Sequence, residues 1–112
     1  MARLKSELRV QAWLRRAGGL GLMAAVVRKG EPESGTVILK INRHAAGCEV
    51  YSPATDPNGA SAWLRAFPKG PASEVEADAY LQRQTKYDPD LWVLEIEDPK
   101  GLFVLEEPIL KA

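Results

Sequence analysis

The sequence predicts an α+β fold: a mainly antiparallel sheet of about six strands with two amphipathic helices packed on one face, in the order α-β-β-β-β-α-β-β. Three observations predict it. Residues 3–17 and 74–86 repeat apolar side chains at helical spacing. The shorter runs around them alternate in the manner of strands or are apolar throughout. Short connections rich in Gly, Pro, Asn and Asp separate those runs. The whole chain, residues 1–112, is expected to form a single small domain, a common domain length.

In the first helix Leu4, Leu8 and Ala12 share one line, and Val10, Trp13, Leu14 and Ala17 another. Arg15 and Arg16 fall in its last turn, where cations complement the helix dipole, and Gly18-Gly19 stops it. Residues 20–29 read as a first strand, apolar almost throughout, as a central strand covered on both faces would be. The turn at residues 30–35 joins it to a second strand over 36–43, so the pair is expected to form a hairpin. His44 sits in the next connection as the only histidine, and no second histidine or cysteine pattern supports a site there.

Residues 48–52 form the third strand. Cys48 shares a face with Val50, which makes it a small buried hydrophobe rather than a nucleophile. Asp56-Pro57-Asn58-Gly59 is a turn. The fourth strand, 61–67, places Trp63, Arg65 and Phe67 on one face. Ser73 and Glu76 then form a capping box, and the second helix follows to Lys86, acidic at its start and basic at its end.

The best-patterned stretch runs from Tyr87 to Asp98. Pro89 disfavours a helical Asp88 and so closes the helix. From Leu91 the side chains alternate, with Trp92, Leu94 and Ile96 on one face, expected to be buried, and Val93, Glu95 and Glu97 on the other. Asp98-Pro99-Lys100-Gly101 reads as a tight turn, after which residues 102–105 return as the hairpin partner. Ile109 and Leu110 are left as a tail that packs back.

Charge is balanced, with 15 basic and 15 acidic residues, but the halves differ in sign. Residues 1–56 hold nine Lys/Arg against five acids, and residues 57–112 six against ten. A neutral protein lacks the basic footprint of strong nucleic-acid binding. No apolar run approaches the ~20 residues of a membrane span, and no signal-peptide pattern opens the chain. One cysteine precludes an internal disulfide. These features predict a cytoplasmic protein.

Several segments together resemble a known family: residues 3–7 with Arg15-Arg16, residues 26–30, and above all Arg83-Gln84 with residues 88–98. They resemble the small, mostly alphaproteobacterial proteins of domain-of-unknown-function family 1491. The resemblance spans essentially the whole chain. It implies a cytoplasmic bacterial protein with no assigned activity, and it carries over no catalytic residue.

No phosphate-binding glycine loop, dinucleotide fingerprint, Cys-x-x-Cys pair or nucleophile elbow is present, so no cofactor is expected. One chemical constellation stands out. Asp88, Asp90, Glu95, Glu97 and Asp98 lie within eleven positions, and carboxylates are the ligands of hard divalent cations. Glu95 and Glu97 share a strand face, and the expected hairpin brings Glu106 near them. Arg83 and Lys86 would then stand ready for a phosphate. That combination describes a metal-dependent phosphoester hydrolase. The competing explanation is a solvated acidic edge, with Asp88 or Asp90 capping a turn and no resident metal. The sequence favours a non-catalytic protein-interaction or regulatory module with an unidentified protein partner. Its contacts would come from the Arg/Lys-rich first helix, with Arg15 and Arg16, and the first hairpin, or from the Trp63/Phe67 side of the fourth strand.

Overall fold

The computed structural model describes residues 4–111. Arg3, where the sequence starts the first helix, lies outside the described residues. In chain order the elements are α1 (Ser6–Gly19), β1 (Met23–Arg28), β2 (Val37–Asn42), a 3₁₀ turn (His44–Ala46), β3 (Cys48–Thr55), β4 (Ser61–Arg65), α2 (Glu74–Tyr87), β5 (Trp92–Glu97) and β6 (Ile109–Leu110). The element order matches the sequence expectation, and the α+β class holds. The sheet differs in its pairing.

The six strands lie in the order β1-β5-β2-β3-β4-β6. β2, β3 and β4 form the expected antiparallel meander. However, β5 pairs parallel with β2, and β6 parallel with β4, so the sheet is mixed rather than mainly antiparallel. The expected β1–β2 hairpin is absent. The two strands do run in opposite directions, but β5 is inserted between them, antiparallel to β1. Burial explains the insertion. β5 is apolar on both faces and buries Trp92, Val93, Leu94 and Ile96, whereas β1 offers Ala24 and Ala25. The strand with more to bury takes the interior position. β1 is therefore an edge strand, not the central one its composition suggests.

The expected return strand over 102–105 also fails to form. The Asp98 carboxylate accepts the backbone N–H groups of Leu102 and Phe103, each at 2.8 Å. Those donors cannot also serve a ladder with β5. The chain instead crosses the sheet, buries Phe103, and ends in the two-residue β6 against β4. The tail thus packs back, as a strand.

The helices cover opposite faces of the sheet, not one. α1 lies on Val37, Leu39, Ile41, Trp92, Leu94 and Ile96. α2 lies on Ile38, Cys48, Val50 and Val93. β2 dictates this, because all six of its residues are buried and its apolar side chains project both ways. Helices on one face would leave Ile38, Val50 and Val93 in water. Trp63 and Phe67 are likewise separated. Trp63 is buried on the α1 side, 5.9 Å from Trp13 between ring centres, while Phe67 lies beyond the end of β4 and packs on Tyr80 of α2.

The loop at residues 30–35 locks β5 in place. Trp92 Nε1 donates to the Glu31 carbonyl at 2.7 Å, and Ser6 Oγ donates to the Gly35 carbonyl at 2.6 Å. A Cβ on Gly30 would fall 2.6 Å from Trp92 Cδ1, and one on Gly35 2.4 Å from the Asp90 carbonyl oxygen. Only glycine permits that approach.

Candidate functional site

Two strand periods and one helix period converge on the α2 side of the sheet. Alternation along β2 turns Lys40 and Asn42 to this face, and alternation along β5 does the same for Glu95 and Glu97. The parallel register sets Lys40 beside Glu95 and Asn42 beside Glu97. α2 adds Glu74 and Asp78, four residues apart and so on one helix face. Its start is fixed by the predicted capping box: Ser73 Oγ accepts from Glu76 N, and the Glu76 carboxylate accepts from Ser73 N.

Lys40 is the centre of this cluster, with only 4% of its side chain exposed. Its Nζ donates to Asp78 Oδ1 at 2.8 Å, to Glu74 Oε2 at 2.9 Å and to Glu95 Oε1 at 3.5 Å. Asn42 Nδ2 donates to Glu74 Oε2 and Glu95 Oε2, each at 3.1 Å. Burial pulls the ammonium toward its neutral form. The carboxylates of Asp78, Glu74 and Glu95 outweigh it and hold its pKa above the ordinary lysine value. Lys40 is therefore a permanent cation, unsuited to act as a base or an amine nucleophile. Cys48 lies on the same face, 1% exposed, and burial raises its thiol pKa although the Lys40 charge opposes that. It behaves as the buried hydrophobe the sequence predicts.

An open groove of about 450 Å³ runs over this cluster, bordered by Val27 and Arg28 of β1 and by Gln82 and Thr85 of α2. Beside it a smaller concavity of about 130 Å³ lies over Ala24 and Ala25, between Glu95, Glu97 and Met23. α2 packs on β2 and β3 on this face, Met23 and Val27 of β1 stay exposed, and the two hollows meet at Glu95 in a trough beside the β1 edge.

The five predicted acids do not act together. Glu95 and Glu97 stand in the trough. Asp88 and Asp90 precede β5, where Asp88 Oδ1 accepts from Asp90 N at 3.0 Å and shapes the turn. Asp98 is at the opposite end and fully buried. Asp90 and Asp98 are eight steps of extended chain apart, about 26 Å at ~3.3 Å per step. Glu106 is exposed, in the segment that does not return beside β5. Among the described residues, no group of three or more His, Cys, Asp or Glu side chains is placed to hold a metal ion. Arg83 and Lys86 are exposed on α2, and Arg15 is exposed on α1. Arg16 is used structurally, stacked over Phe103 with its guanidinium donating to the Val104 carbonyl. His44 is half exposed, with Nε2 2.8 Å from Glu97 Oε1.

Sequence reasoning missed Lys40, Asn42, Glu74 and Asp78 as members of one cluster. The signal was available in part. Lys40 is the only charged residue within the apolar run from Val37 to Ile41, and Glu74 and Asp78 have helical i, i+4 spacing.

On the opposite face a second polar network surrounds Glu49. It accepts from Tyr51 Oη at 2.7 Å and pairs with Arg43 at 3.3 Å, with Arg65 Nε at 3.9 Å. Burial and the Glu49 carboxylate both raise the Tyr51 pKa. Arg43 also donates to the Asp98 carbonyl at 3.0 Å. The Asp98 carboxylate lies 3.6 Å from Arg43 Nη1, so Glu49 and Asp98 stand against Arg43 and Arg65 in this network.

The comparisons agree with this fold. The family described as "Protein of unknown function (DUF1491)" matches residues 4–106. A crystal structure of a DUF1491 family protein from Caulobacter crescentus CB15 is similar at 36% identity and a TM-score of 0.86, covering 96% of this chain and 100% of that one. An NMR structure of a DUF1491 family protein from the same organism gives 35% identity and a TM-score of 0.82, covering 99% and 100%. The solution structure of protein Atu0922 from A. tumefaciens gives 28% and 0.76, also covering 99% and 100%. No curated protein matches. No helix among the described residues is long and apolar enough to cross a membrane. The match over nearly the whole chain, together with 36% identity to a solved member, establishes that this chain belongs to the DUF1491 family.

Proposed function

We propose that the protein is a non-catalytic interaction module of the cytoplasm, and that it binds its protein partner along the open β1 edge. One observation carries this reading. Among the described residues, the two-residue β6 covers the β4 edge at Trp63 and Leu64, while β1 pairs with β5 alone and leaves its outer side open to a further strand. Natural edge strands are usually guarded by charge, proline or a covering element. β1 has no charged residue before Arg28, and Met23 and Val27 are 73% and 58% exposed. The register shift at Val27 guards only the end of the strand, so the apolar edge over residues 23–26 suits a partner. The acidic trough beside it repels a phosphate backbone, which supports a protein ligand over a nucleic acid.

Site-specific photocrosslinking tests this. A photoreactive residue at Met23 or Val27 is expected to capture one discrete partner in native cell extract, and one at Val75 on the outer side of α2 is not. The partner, purified, should bind the unmodified protein and lose affinity to Val27→Lys. Equal capture at all three positions, or none, rejects the edge as the docking face.

A further inference from the structure

We infer that the concavity over Ala25 seats a basic side chain of an extended partner segment, which adds to β1 as a seventh strand. The inference rests on the interaction-module reading and specifies its partner.

The register of β1 supplies the geometry. Met23 is paired with Glu97, and Ala25 with Glu95. All four side chains border the same concavity. A strand added outside β1 would place one residue opposite Ala25 with its side chain on this face. Adjacent strands are about 4.8 Å apart, so the Cα of that residue would stand about 10 Å from the Cα of Glu95. A Lys or Arg side chain and a Glu side chain together span that distance. Ala25 is all that lies between them, and its methyl group leaves the path open.

Charge selects the sign of the side chain. The trough holds Glu74, Asp78, Glu95 and Glu97 against Lys40 and Arg28. His44 touches Glu97, and Lys100 lies in the next hollow along. Lys40 is shared among Glu74, Asp78 and Glu95, and Arg28, which donates to the neutral Pro89 carbonyl at 2.9 Å, keeps its charge, so four carboxylates stand against two cations. The surplus is negative. The apolar flanks set the rest of the pattern. Met23 and Val27 lie two residues to either side of Ala25, so they favour apolar side chains at the matching positions. The ladder register shifts between Val26 and Arg28, so the regular edge covers residues 23–26 and Val27 flanks it at the irregularity. The recognised segment is therefore extended and short, with an apolar residue, a basic residue and a second apolar residue at alternate positions.

The probes are three labelled seven-residue peptides, titrated into the full chain by fluorescence anisotropy and by amide NMR. One has the sequence Thr-Val-Thr-Arg-Thr-Val-Thr. The second has Glu in place of the arginine. The third keeps the arginine but carries N-methyl groups on alternate amides. The arginine peptide is expected to bind and to shift the amides of residues 23–27. The Glu peptide should bind about tenfold more weakly, and the N-methylated one not at all. Ala25→Leu and Glu97→Gln should each weaken the arginine peptide several-fold while the remaining amide spectrum keeps its positions. Equal binding of the Glu peptide overturns the charge argument, and equal binding of the N-methylated peptide overturns strand addition. A dimer in light scattering that Val27→Lys dissociates would make a second copy the occupant. Peptides that fail while crosslinking at Met23 still captures a partner sink this inference alone. Failure of both sinks the interaction reading as well.

Discussion

The Lys40 ammonium stands 2.8 Å from the Asp78 carboxylate, across the gap between the sheet and α2. This contact ties the helix to β2 beside the apolar packing of Ala77 and Leu81 on Ile38. Removing one partner of a fully buried pair costs ~3–5 kcal/mol. Here Glu74 and Asp78 remain about half exposed, so water relieves them once the lysine is gone. Lys40→Gln should therefore cost less, on the order of 2 kcal/mol. The pH dependence has a defined sign. Because the folded pKa is raised, the contribution of Lys40 is complete below the unfolded value of ~10.4 and is lost as pH rises through the folded one. Its own titration thus leaves stability flat between neutrality and pH 9. Urea denaturation of both proteins at pH 7 and 9 checks both statements.

Trp92 is 3% exposed and hydrogen-bonded to the loop that closes over it. Trp92→Ala should cost ~3–5 kcal/mol, a large part of a typical domain stability of ~5–15 kcal/mol. Trp92→Phe separates packing from polarity. It keeps most of the buried ring but leaves the Glu31 carbonyl with the Gly35 N–H at 3.2 Å alone, at about 1 kcal/mol. A loss below 1 kcal/mol for the alanine variant in chemical denaturation would mean that the ring is not a core element.

Trp92, Leu94 and Ile96 were legible as one buried face because a strand period is local and all three point the same way. The capping box at Ser73 and the hydrophobic role of Cys48 were legible for the same reason. Sheet order was not. Whether β1 or β5 lies beside β2 depends on how much apolar surface each buries, and that competition involves residues more than fifty positions apart. The missing hairpin after β5 has a comparable cause. Asp98-Pro99-Lys100-Gly101 does read as a turn, but the side chain of Asp98 takes the very amides that a return strand needs. The acids were misgrouped because the sequence shows proximity along the chain. The fold instead joins Glu95 to Glu74, Asp78 and Lys40, and sends Asp98 into the interior.

Asp98 is expected to control the path of residues 98–103. Its carboxylate accepts two backbone N–H groups and lies 3.6 Å from Arg43 Nη1, all in a fully buried position. Asp98→Asn keeps one acceptor oxygen and turns an amide donor toward the other N–H, at about 1–3 kcal/mol. Asp98→Ala removes both acceptors and leaves Arg43 with one fewer partner, and should cost more. Hydrogen exchange provides the specific readout. The Leu102 and Phe103 amides should exchange faster in both variants, while those of β2 slow or quicken only with global stability. Unchanged protection at 102 and 103 would refute the capping role.

The acidic face makes its last prediction through divalent cations. Glu74, Asp78 and Glu95 surround a point already occupied by the Lys40 ammonium, which offsets part of their charge and fills the position where they converge. A metal ion would have to displace a tethered charge, so millimolar Mg²⁺, Mn²⁺ or Ca²⁺ should leave the melting temperature of the wild type unchanged. In Lys40→Gln the three carboxylates lose that charge and repel one another. A cation binding the folded variant then stabilises it by mass action, in proportion to the logarithm of its concentration. The variant should accordingly gain several degrees in millimolar Mn²⁺ or Ca²⁺, and the gain should vanish in Lys40→Gln/Asp78→Asn. A rise in the wild type that Glu95→Gln or Glu97→Gln abolishes would contradict this account. It would place a metal site on the outer side of β5 and return the phosphoester-hydrolase reading to first rank.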